Sequence, residues 1–157
     1  MEGLPEGYSV FEPQWEVETS VGGPIVILNG IIEQVYAQLL DINPHYDMEF
    51  GISEDIDFEK CTDFLKAKTS CWDMNMRYVA NRGSILNGPG NCRRVSCLYR
   101  SAIWWCNNSK KVKTLSVFRS IADGAQRVVN KCSYGAKTLG KVDYLIDWAV
   151  VVNYVNC

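Results

Sequence analysis

Seven cysteines in a chain of 157 residues are the feature that most limits how this sequence can fold. Such a density is typical of short chains that disulfides stabilise in an oxidising compartment. Spacing alone does not give the pairing, and an odd count leaves one thiol free or bonded to another molecule. We therefore expect a disulfide-stabilised monomer, with a dimer through the odd cysteine as the alternative. The cysteines are Cys61, Cys71, Cys92, Cys97, Cys106, Cys132 and Cys157.

The N-terminal residues bear on the compartment. Residues 1–6 have neither the basic segment nor the apolar stretch of a signal peptide, and no apolar run is long enough for a transmembrane helix. Together with the cysteines, this favours a mature secreted, extracellular chain whose leader has been removed and whose Met1 is an expression start. A reducing cytosolic origin stays open as the alternative.

Charge divides the chain into two unlike parts. Residues 1–63 hold 14 acidic residues and one lysine, whereas residues 64–157 hold 15 basic and four acidic residues, although the net charge is only −2. With 47% apolar residues, the whole chain can bury a core. We expect one secreted domain, 1–157, in which the two parts partly neutralise each other and a basic side is left for partners.

Two segments carry apolar residues at helical spacing. The first ends near Ile42, before a proline, and the second continues to Cys132. Gly124 within the second is unfavourable by about 1 kcal/mol relative to alanine, which indicates close packing on a neighbour. The expected N-caps are Asn29 or Gly30 for the first helix and Thr114 or Ser116 for the second.

Strand patterns surround both helices. Residues 148–155 are apolar on both faces, which predicts a strand in the middle of a sheet. The arrangement predicts an α+β fold, a disulfide-stabilised two-layer sandwich of a mostly antiparallel sheet with two helices on one face. The remaining expectations are an extended N-terminal segment in residues 1–20, strands at residues 8–11, 15–19, 25–28, 74–86, 93–98 and 102–106, an acidic loop at 43–63, a short helix at 58–65, and loops at 107–113 and 134–141.

No residue pattern predicts catalysis, a metal or a cofactor. The chain has no Cys-x-x-Cys pair, no glycine-rich phosphate loop and no Gly-x-Ser-x-Gly motif, and its single histidine, His45, is expected in a surface turn. A small secreted hydrolase acting on glycosides or RNA is the alternative, but a run of exposed carboxylates lacks the buried acid that such chemistry needs. That acidic run is Glu54, Asp55, Asp57 and Glu59.

The basic part offers a cationic binding surface. Trp104 and Trp105 alternate along a predicted strand, so at least one is expected in the core, and a nucleic-acid partner is disfavoured. Asn107 begins an Asn-Asn-Ser sequon and is the expected glycosylation site. The predicted partner-binding residues are Arg93, Arg94, Arg100, Lys110, Lys111 and Lys113.

Residues 91–157 also resemble known fungal proteins. Asn91-Cys92-Arg93, the helix ending at Cys132 and the terminal residues 150–157 resemble the calcium-channel-blocking killer toxins of smut fungi. Residues 96–108, with Ile121-Ala122-Asp123-Gly124-Ala125, resemble small secreted cysteine-rich effectors of filamentous fungi.

The resemblance implies a compact disulfide-held α/β sandwich and a secreted virulence effector or killer-toxin-like protein. Such a protein acts without catalysis, by binding a protein or a membrane component of a host or competitor cell. The resemblance also implies that Cys92 pairs with Cys132, and that Cys157 ties the last strand to a neighbour through Cys106.

Overall fold

The computed structural model describes residues 4, 6–50, 77–79, 90–98, 100–115, 118–134 and 137–157. Within these ranges it has three helices and eleven strands, and the fold is α+β as predicted. The helices are α1 (Ile32–Ile42), α2 (Tyr46–Glu49) and α3 (Arg119–Cys132). The strands are β1 (Ser9–Phe11), β2 (Gln14–Glu18), β3 (Ile25–Asn29), β4 (Arg77–Val79), β5 (Asn91–Leu98), β6 (Ser101–Asn107), β7 (Thr114–Leu115), β8 (Ser133–Tyr134), β9 (Lys137–Thr138), β10 (Gly140–Tyr144) and β11 (Trp148–Tyr154).

A five-stranded sheet, the main sheet, organises the part of the chain that the model describes. Its order is β1-β5-β6-β11-β10, with β1 parallel to β5 and the other pairs antiparallel. β11 lies between β6 and β10, and six of its seven residues are buried. The prediction of a final strand within a sheet, apolar on both faces, is therefore confirmed.

Two smaller sheets complete the described strands. One has four antiparallel strands in the order β3-β2-β4-β7, and the other pairs β8 with β9. β4 lies within the range 74–86 in which a strand was predicted, and the rest of that range lies outside the described residues. The predicted helix at 58–65, the carboxylates Glu54, Asp55, Asp57 and Glu59, and the cysteines Cys61 and Cys71 lie outside the described residues.

Buried apolar residues form two clusters that involve the main sheet. The larger joins Trp105 and Val150 of the sheet to Trp15 of β2, Leu39 of α1 and Ile121 of α3. The smaller contains side chains from the alternate positions of the main-sheet strands: Cys92, Trp104, Cys106, Ala149 and Val151. Because neighbouring residues of a strand point to opposite faces, the clusters lie on opposite faces of the main sheet.

Helical spacing predicts both long helices, whereas the caps differ from expectation. α1 ends at Ile42 as predicted, but its cap is Ile31, whose N–H donates to Gln34 Oε1 at 3.0 Å. α3 begins at Arg119 with Phe118 as its cap, and that cap makes no side-chain hydrogen bond. A buried phenylalanine at this position anchors the start of α3 in the core, so packing replaces the polar cap.

The prediction of a loop at residues 134–141 is wrong. β8, β9 and the start of β10 occupy this segment, and β10 pairs with β11 from Gly140↔Val152 to Tyr144↔Trp148. β10 is an edge strand with charged residues on its exposed side, and this pattern resembles a loop in sequence. Its backbone hydrogen bonds come from β11, which is a tertiary effect.

The disulfide pairing implied by the resemblance also requires correction. Cys92 is bonded to Cys106 and Cys97 to Cys157, while Cys132 is free and exposed. The reason is register, because Cys92 and Cys106 are direct cross-strand partners in β5 and β6. Cys132, at the end of α3, lies against Gly140, where a Cβ would come within 2.8 Å of its Sγ.

Candidate binding surface

Residues 108–113, here called the basic loop, follow β6 and carry three of the predicted partner-binding residues. Lys110 and Lys111 are exposed and Lys113 is half-exposed. The loop leaves the main sheet where Asn107 pairs across the strands with both Asn91 and Trp148. The lysines therefore project from one end of the main sheet.

The side chain of Asn107 holds the basic loop in one shape. Its Nδ2 donates to the carbonyl of Lys111 at 2.7 Å, and its Oδ1 accepts from the N–H and the hydroxyl of Ser109 at 3.0 and 2.7 Å. The Ser109 hydroxyl also donates to the Lys111 carbonyl at 2.9 Å. These bonds order the loop before any partner arrives, which reduces the entropy cost of binding.

The same contacts bear on glycosylation at Asn107. The residue is 3% exposed, and its Nδ2, the atom that would carry a glycan, donates to Lys111. On the other side, a Cβ at Gly90 would lie 1.6 Å from the carbonyl oxygen of Asn107. The folded chain therefore encloses the predicted glycosylation residue, and in this conformation there is no space for a glycan.

The turn between β10 and β11 lies beside the basic loop. The N–H of Asn108 donates to the carbonyl of Asp147 at 2.9 Å, and Lys113 Nζ donates to the carbonyl of Ile146. Leu145 and Ile146 are exposed at the tip of this turn, with relative accessibilities of 104% and 64%. These two residues are not among those predicted from the sequence to bind a partner, although a pair of aliphatic residues in a turn is an unusual signal.

The arginines do not join the lysines in one surface. Arg93 is 5% exposed and donates from its guanidinium to the carbonyl of Glu12, so its place on a cationic surface is corrected to the interior. It points to the same face as Trp105, its cross-strand partner, and that face is buried. Arg94 is half-exposed and lies over the ring of Trp104, 5.9 Å from its centroid.

Arg100 lies at the opposite end of β6 from the basic loop. It occupies the turn after β5 with a φ of 63° and donates to the hydroxyl of Tyr154 at 2.8 Å. Seven residues of β6 separate it from the loop, a distance of about 20 Å at strand geometry. The three lysines are therefore the part of the predicted cationic surface that the fold keeps together.

The two tryptophans of β6 are placed as expected. Trp104 and Trp105 are 6% and 1% exposed and belong to the two clusters on opposite faces of the main sheet. Trp104 Nε1 donates to Asn153 Oδ1 at 2.9 Å. Neither ring is open for stacking on a nucleic-acid base.

A polar cluster connects the N-terminal segment to the same end of the main sheet. The hydroxyl of Tyr8 donates to Asn108 Oδ1 at 2.8 Å, and Lys141 Nζ lies 5.4 Å from the centre of the Tyr8 ring. Lys141 also pairs with Asp143 at 2.8 Å. Burial alone would lower the pKa of Lys141, but the hydrogen bonds and charges of Asp143 and Tyr8 outweigh it and raise that pKa.

Glu33, in the first turn of α1, is a carboxylate with a perturbed pKa. Burial raises its pKa, while hydrogen bonds from Ser96 and from backbone N–H groups, including that of Cys97, and the charge of Arg94 oppose the rise. The Ser96 hydroxyl donates to Glu33 Oε1 at 2.5 Å. Among the described residues, no second carboxylate contributes to the shifted pKa of Glu33.

His45, metal-binding clusters and membrane-spanning helices are the remaining features to place. His45 is exposed beside the short helix α2, in the kind of surface position expected. In the ranges that the model describes, no cluster of histidine, cysteine, aspartate and glutamate could hold a metal ion. Across the same ranges, no helix is both long and apolar enough to cross a membrane.

Comparisons of this chain with protein families, curated proteins and solved structures found no match. The likeness of residues 91–157 to fungal effectors and killer toxins therefore stays a prediction. Within the described residues, the feature that best indicates a function is the basic loop with its neighbouring turn.

Proposed function

We propose that this chain is a secreted effector or killer-toxin-like protein that acts on a host or competitor cell by binding, without catalysis. The observation that carries the proposal is the ordered basic loop, in which Asn107 and Ser109 hold Lys110 and Lys111 in exposed positions. A preordered group of cations on a disulfide-bonded scaffold suits the recognition of an anionic partner.

We also propose that α1 and α3 lie on one face of the main sheet and form a two-layer sandwich with it. In support, side chains of both helices belong to the cluster that contains Trp105 and Val150. Gly124 of α3 also approaches β11 closely, since a Cβ there would lie 2.6 Å from Val150 Cγ2.

Secretion is supported by the disulfides. Both described bonds fix the main sheet: one joins β5 to β6, and the other joins β5 to the C-terminal Cys157. Bonds of this kind persist in oxidising, extracellular surroundings. The fungal origin rests on the resemblance of residues 91–157.

Charge reversal in the basic loop tests the proposal. The variant K110E/K111E should lose the effect on host or competitor cells, measured as cell death or growth inhibition over a dilution series of purified protein. Lys113 is left intact because it holds the neighbouring turn through Ile146. Thermal unfolding of each variant checks that the fold is retained.

The matched control is R100E/K131E, which changes the net charge equally at exposed positions outside the basic loop. It should keep full potency, because Arg100 lies at the other end of β6 and Lys131 in the last turn of α3. Equal potency of wild type and K110E/K111E would refute the proposal. Equal loss in both double variants would refute it as well, since the effect would then follow net charge alone.

A small secreted hydrolase is the second candidate, and Glu33 is the observation in its favour. A carboxyl group whose pKa is raised by burial is what a general acid requires. This candidate predicts release of reducing ends from glycan, or of nucleotides from RNA, by the wild type and loss of that release in E33Q. Under the binding proposal, neither protein exceeds the rate of the buffer blank.

A further inference from the structure

The turn between β10 and β11 presents apolar side chains where turns ordinarily carry polar ones. Its hydrogen bond runs from the N–H of Asp147 to the carbonyl of Tyr144 at 3.1 Å, so Leu145 and Ile146 occupy the two central positions. Glycine, asparagine, aspartate and proline are the usual residues there. Leu145 is 104% exposed and Ile146 64%, so both project from the molecule.

The basic loop lies beside this turn at the same end of the main sheet. The two segments are joined by the bonds Asn108 N–H to Asp147 and Lys113 Nζ to Ile146. Val112, between two of the lysines, adds a third exposed apolar side chain at 49% accessibility. Apolar and cationic side chains therefore lie next to each other on one projecting end.

Acidic residues at this end leave the positive charge in excess. Asp147 lies in the turn itself, with a φ of 60°. Asp143 of β10 is paired with Lys141 at 2.8 Å, so these two charges compensate each other. Among the described residues of the loop and the turn, the charged side chains are the three lysines Lys110, Lys111 and Lys113 and one carboxylate, Asp147.

This combination fits a lipid surface better than a protein or a nucleic acid. Protein interfaces are enriched in tryptophan, tyrosine and arginine and depleted in lysine, and single strands are bound on aromatic platforms. At a bilayer surface, aliphatic side chains enter the boundary between headgroups and acyl chains, while lysines attract anionic headgroups. A projecting tip also suits insertion into a layer.

We propose that this end of the molecule docks on an anionic lipid bilayer, with Leu145 and Ile146 inserted at the headgroup level and Lys110 and Lys111 bound to lipid phosphates. The inference rests on the proposed function, because it assigns a partner class to the same basic loop. Each lysine near an anionic surface strengthens the attachment, and buried aliphatic area adds to this.

Vesicle co-sedimentation tests the inference with the full chain. The wild type should bind vesicles of phosphatidylcholine with about 30% phosphatidylserine and show little binding to phosphatidylcholine alone. L145S/I146S and K110E/K111E should each weaken binding by about tenfold or more, because each removes one of the two contributions. Thermal midpoints show whether the variants are folded.

The matched controls are L139S and R100E/K131E, the second of which changes the net charge as much as K110E/K111E does. Leu139 is 67% exposed but precedes β10, at the end of that strand away from the turn, and Lys131 is exposed on α3. Both should bind vesicles like the wild type. Vesicles with phosphatidylinositol phosphates, and free inositol phosphate as a competitor, distinguish a bilayer surface from a soluble phosphate as the ligand.

Three outcomes overturn the inference: no binding to anionic vesicles, equal binding to neutral ones, or competition by soluble phosphate that abolishes it. A dimer of the wild type that L145S/I146S dissolves would instead identify a second copy of the chain as the occupant. If vesicle binding fails while K110E/K111E still loses its cellular effect, only the lipid assignment is wrong. If that variant also keeps its cellular effect, the proposed function fails as well.

Discussion

Gly124 lies where α3 packs against β11, and the contact has no space for a methyl group. A Cβ there would lie 2.6 Å from Val150 Cγ2 and 3.0 Å from the hydroxyl of Tyr144. This agrees with the close packing that a glycine inside a helical pattern indicates. Val150 is fully buried and stiff at its β-branch, so it cannot easily move aside.

Gly124→Ala should destabilise the protein although it improves helix propensity. The propensity gain of about 1 kcal/mol is opposed by overpacking of about 1–3 kcal/mol, and we expect a net loss of up to about 2 kcal/mol. Urea unfolding followed by tryptophan fluorescence measures it. Lys131→Ala, on the exposed side of the same helix, is the control and should change stability little; a stabilised G124A would contradict the packing argument.

Glu33 should make stability depend on pH in a defined direction. Its folded pKa is raised above the ordinary value of 4.5, chiefly by burial, so the folded state holds the proton more tightly than the unfolded state. The contribution of Glu33 to the free energy of unfolding is therefore full below its pKa in the unfolded state, and it is lost as the pH rises through its pKa in the folded state. E33Q, which stays neutral, should be at least as stable as the wild type at neutral pH.

The measurement is the urea midpoint of the wild type and E33Q between about pH 4 and about pH 7. As the pH rises, the urea midpoint of E33Q should fall less than that of the wild type, because the substitution removes a group whose contribution to stability falls with rising pH. Parallel curves would show that Glu33 titrates alike in both states. Ser96→Ala removes the hydrogen bond to Glu33 and should raise the pKa of Glu33 further. Its stability should therefore fall more with rising pH than that of the wild type.

At the scale of elements, β5 carries both described disulfides. The bond Cys92–Cys106 joins it to its hairpin partner across 14 residues, and Cys97–Cys157 joins it to the chain end across 60 residues. The longer loop loses more entropy in the unfolded chain. In the chain-entropy description the two bonds are worth about 3 and about 4 kcal/mol respectively.

C97S/C157S should therefore cost more stability than C92S/C106S. The two double variants are compared by urea unfolding, with C132S as the control because Cys132 is free and exposed. C132S should leave stability unchanged and should remove any covalent dimer seen on a non-reducing gel. The reverse order of the two double variants would show that strain or residual structure outweighs loop closure.

Helices and strands could be predicted where the spacing of their own apolar residues indicates them. The apolar stripe of α1 and the two-sided burial of β11 are local signals, and both appear in the structure. β10 carried no such signal, because an edge strand with alternating charges is stabilised by its partner β11. Likewise, Phe118 starts α3 through burial in the core, whereas a polar cap, Thr114 or Ser116, was expected from the sequence.

For the whole molecule, the divided charge of the sequence predicts that salt affects binding more than folding. The contact of the Arg93 guanidinium with the Glu12 carbonyl joins the two parts and is buried, so it is weakly screened. The exposed lysines of the basic loop act on a partner across solvent. Their contribution should be strongly screened.

Raising NaCl from about 0.05 M to about 0.5 M should weaken partner or vesicle binding by about tenfold or more, while the thermal midpoint changes by only a few degrees. Binding is measured by co-sedimentation and folding by circular dichroism. The residual binding of K110E/K111E should show little salt dependence. Salt-independent binding of the wild type would mean that the lysines do not carry the interaction.

The sequence alone determined the α+β class, both long helices, the buried last strand and the close packing at Gly124, because these follow from the local spacing of apolar residues. Only the tertiary structure decided that Cys92 pairs with Cys106, that Arg93 is buried and that Arg100 lies at the other end from the basic loop. The physical reason is that strand register and neighbouring strands are set by contacts between distant residues. Those contacts determine which side chains meet and which stay exposed.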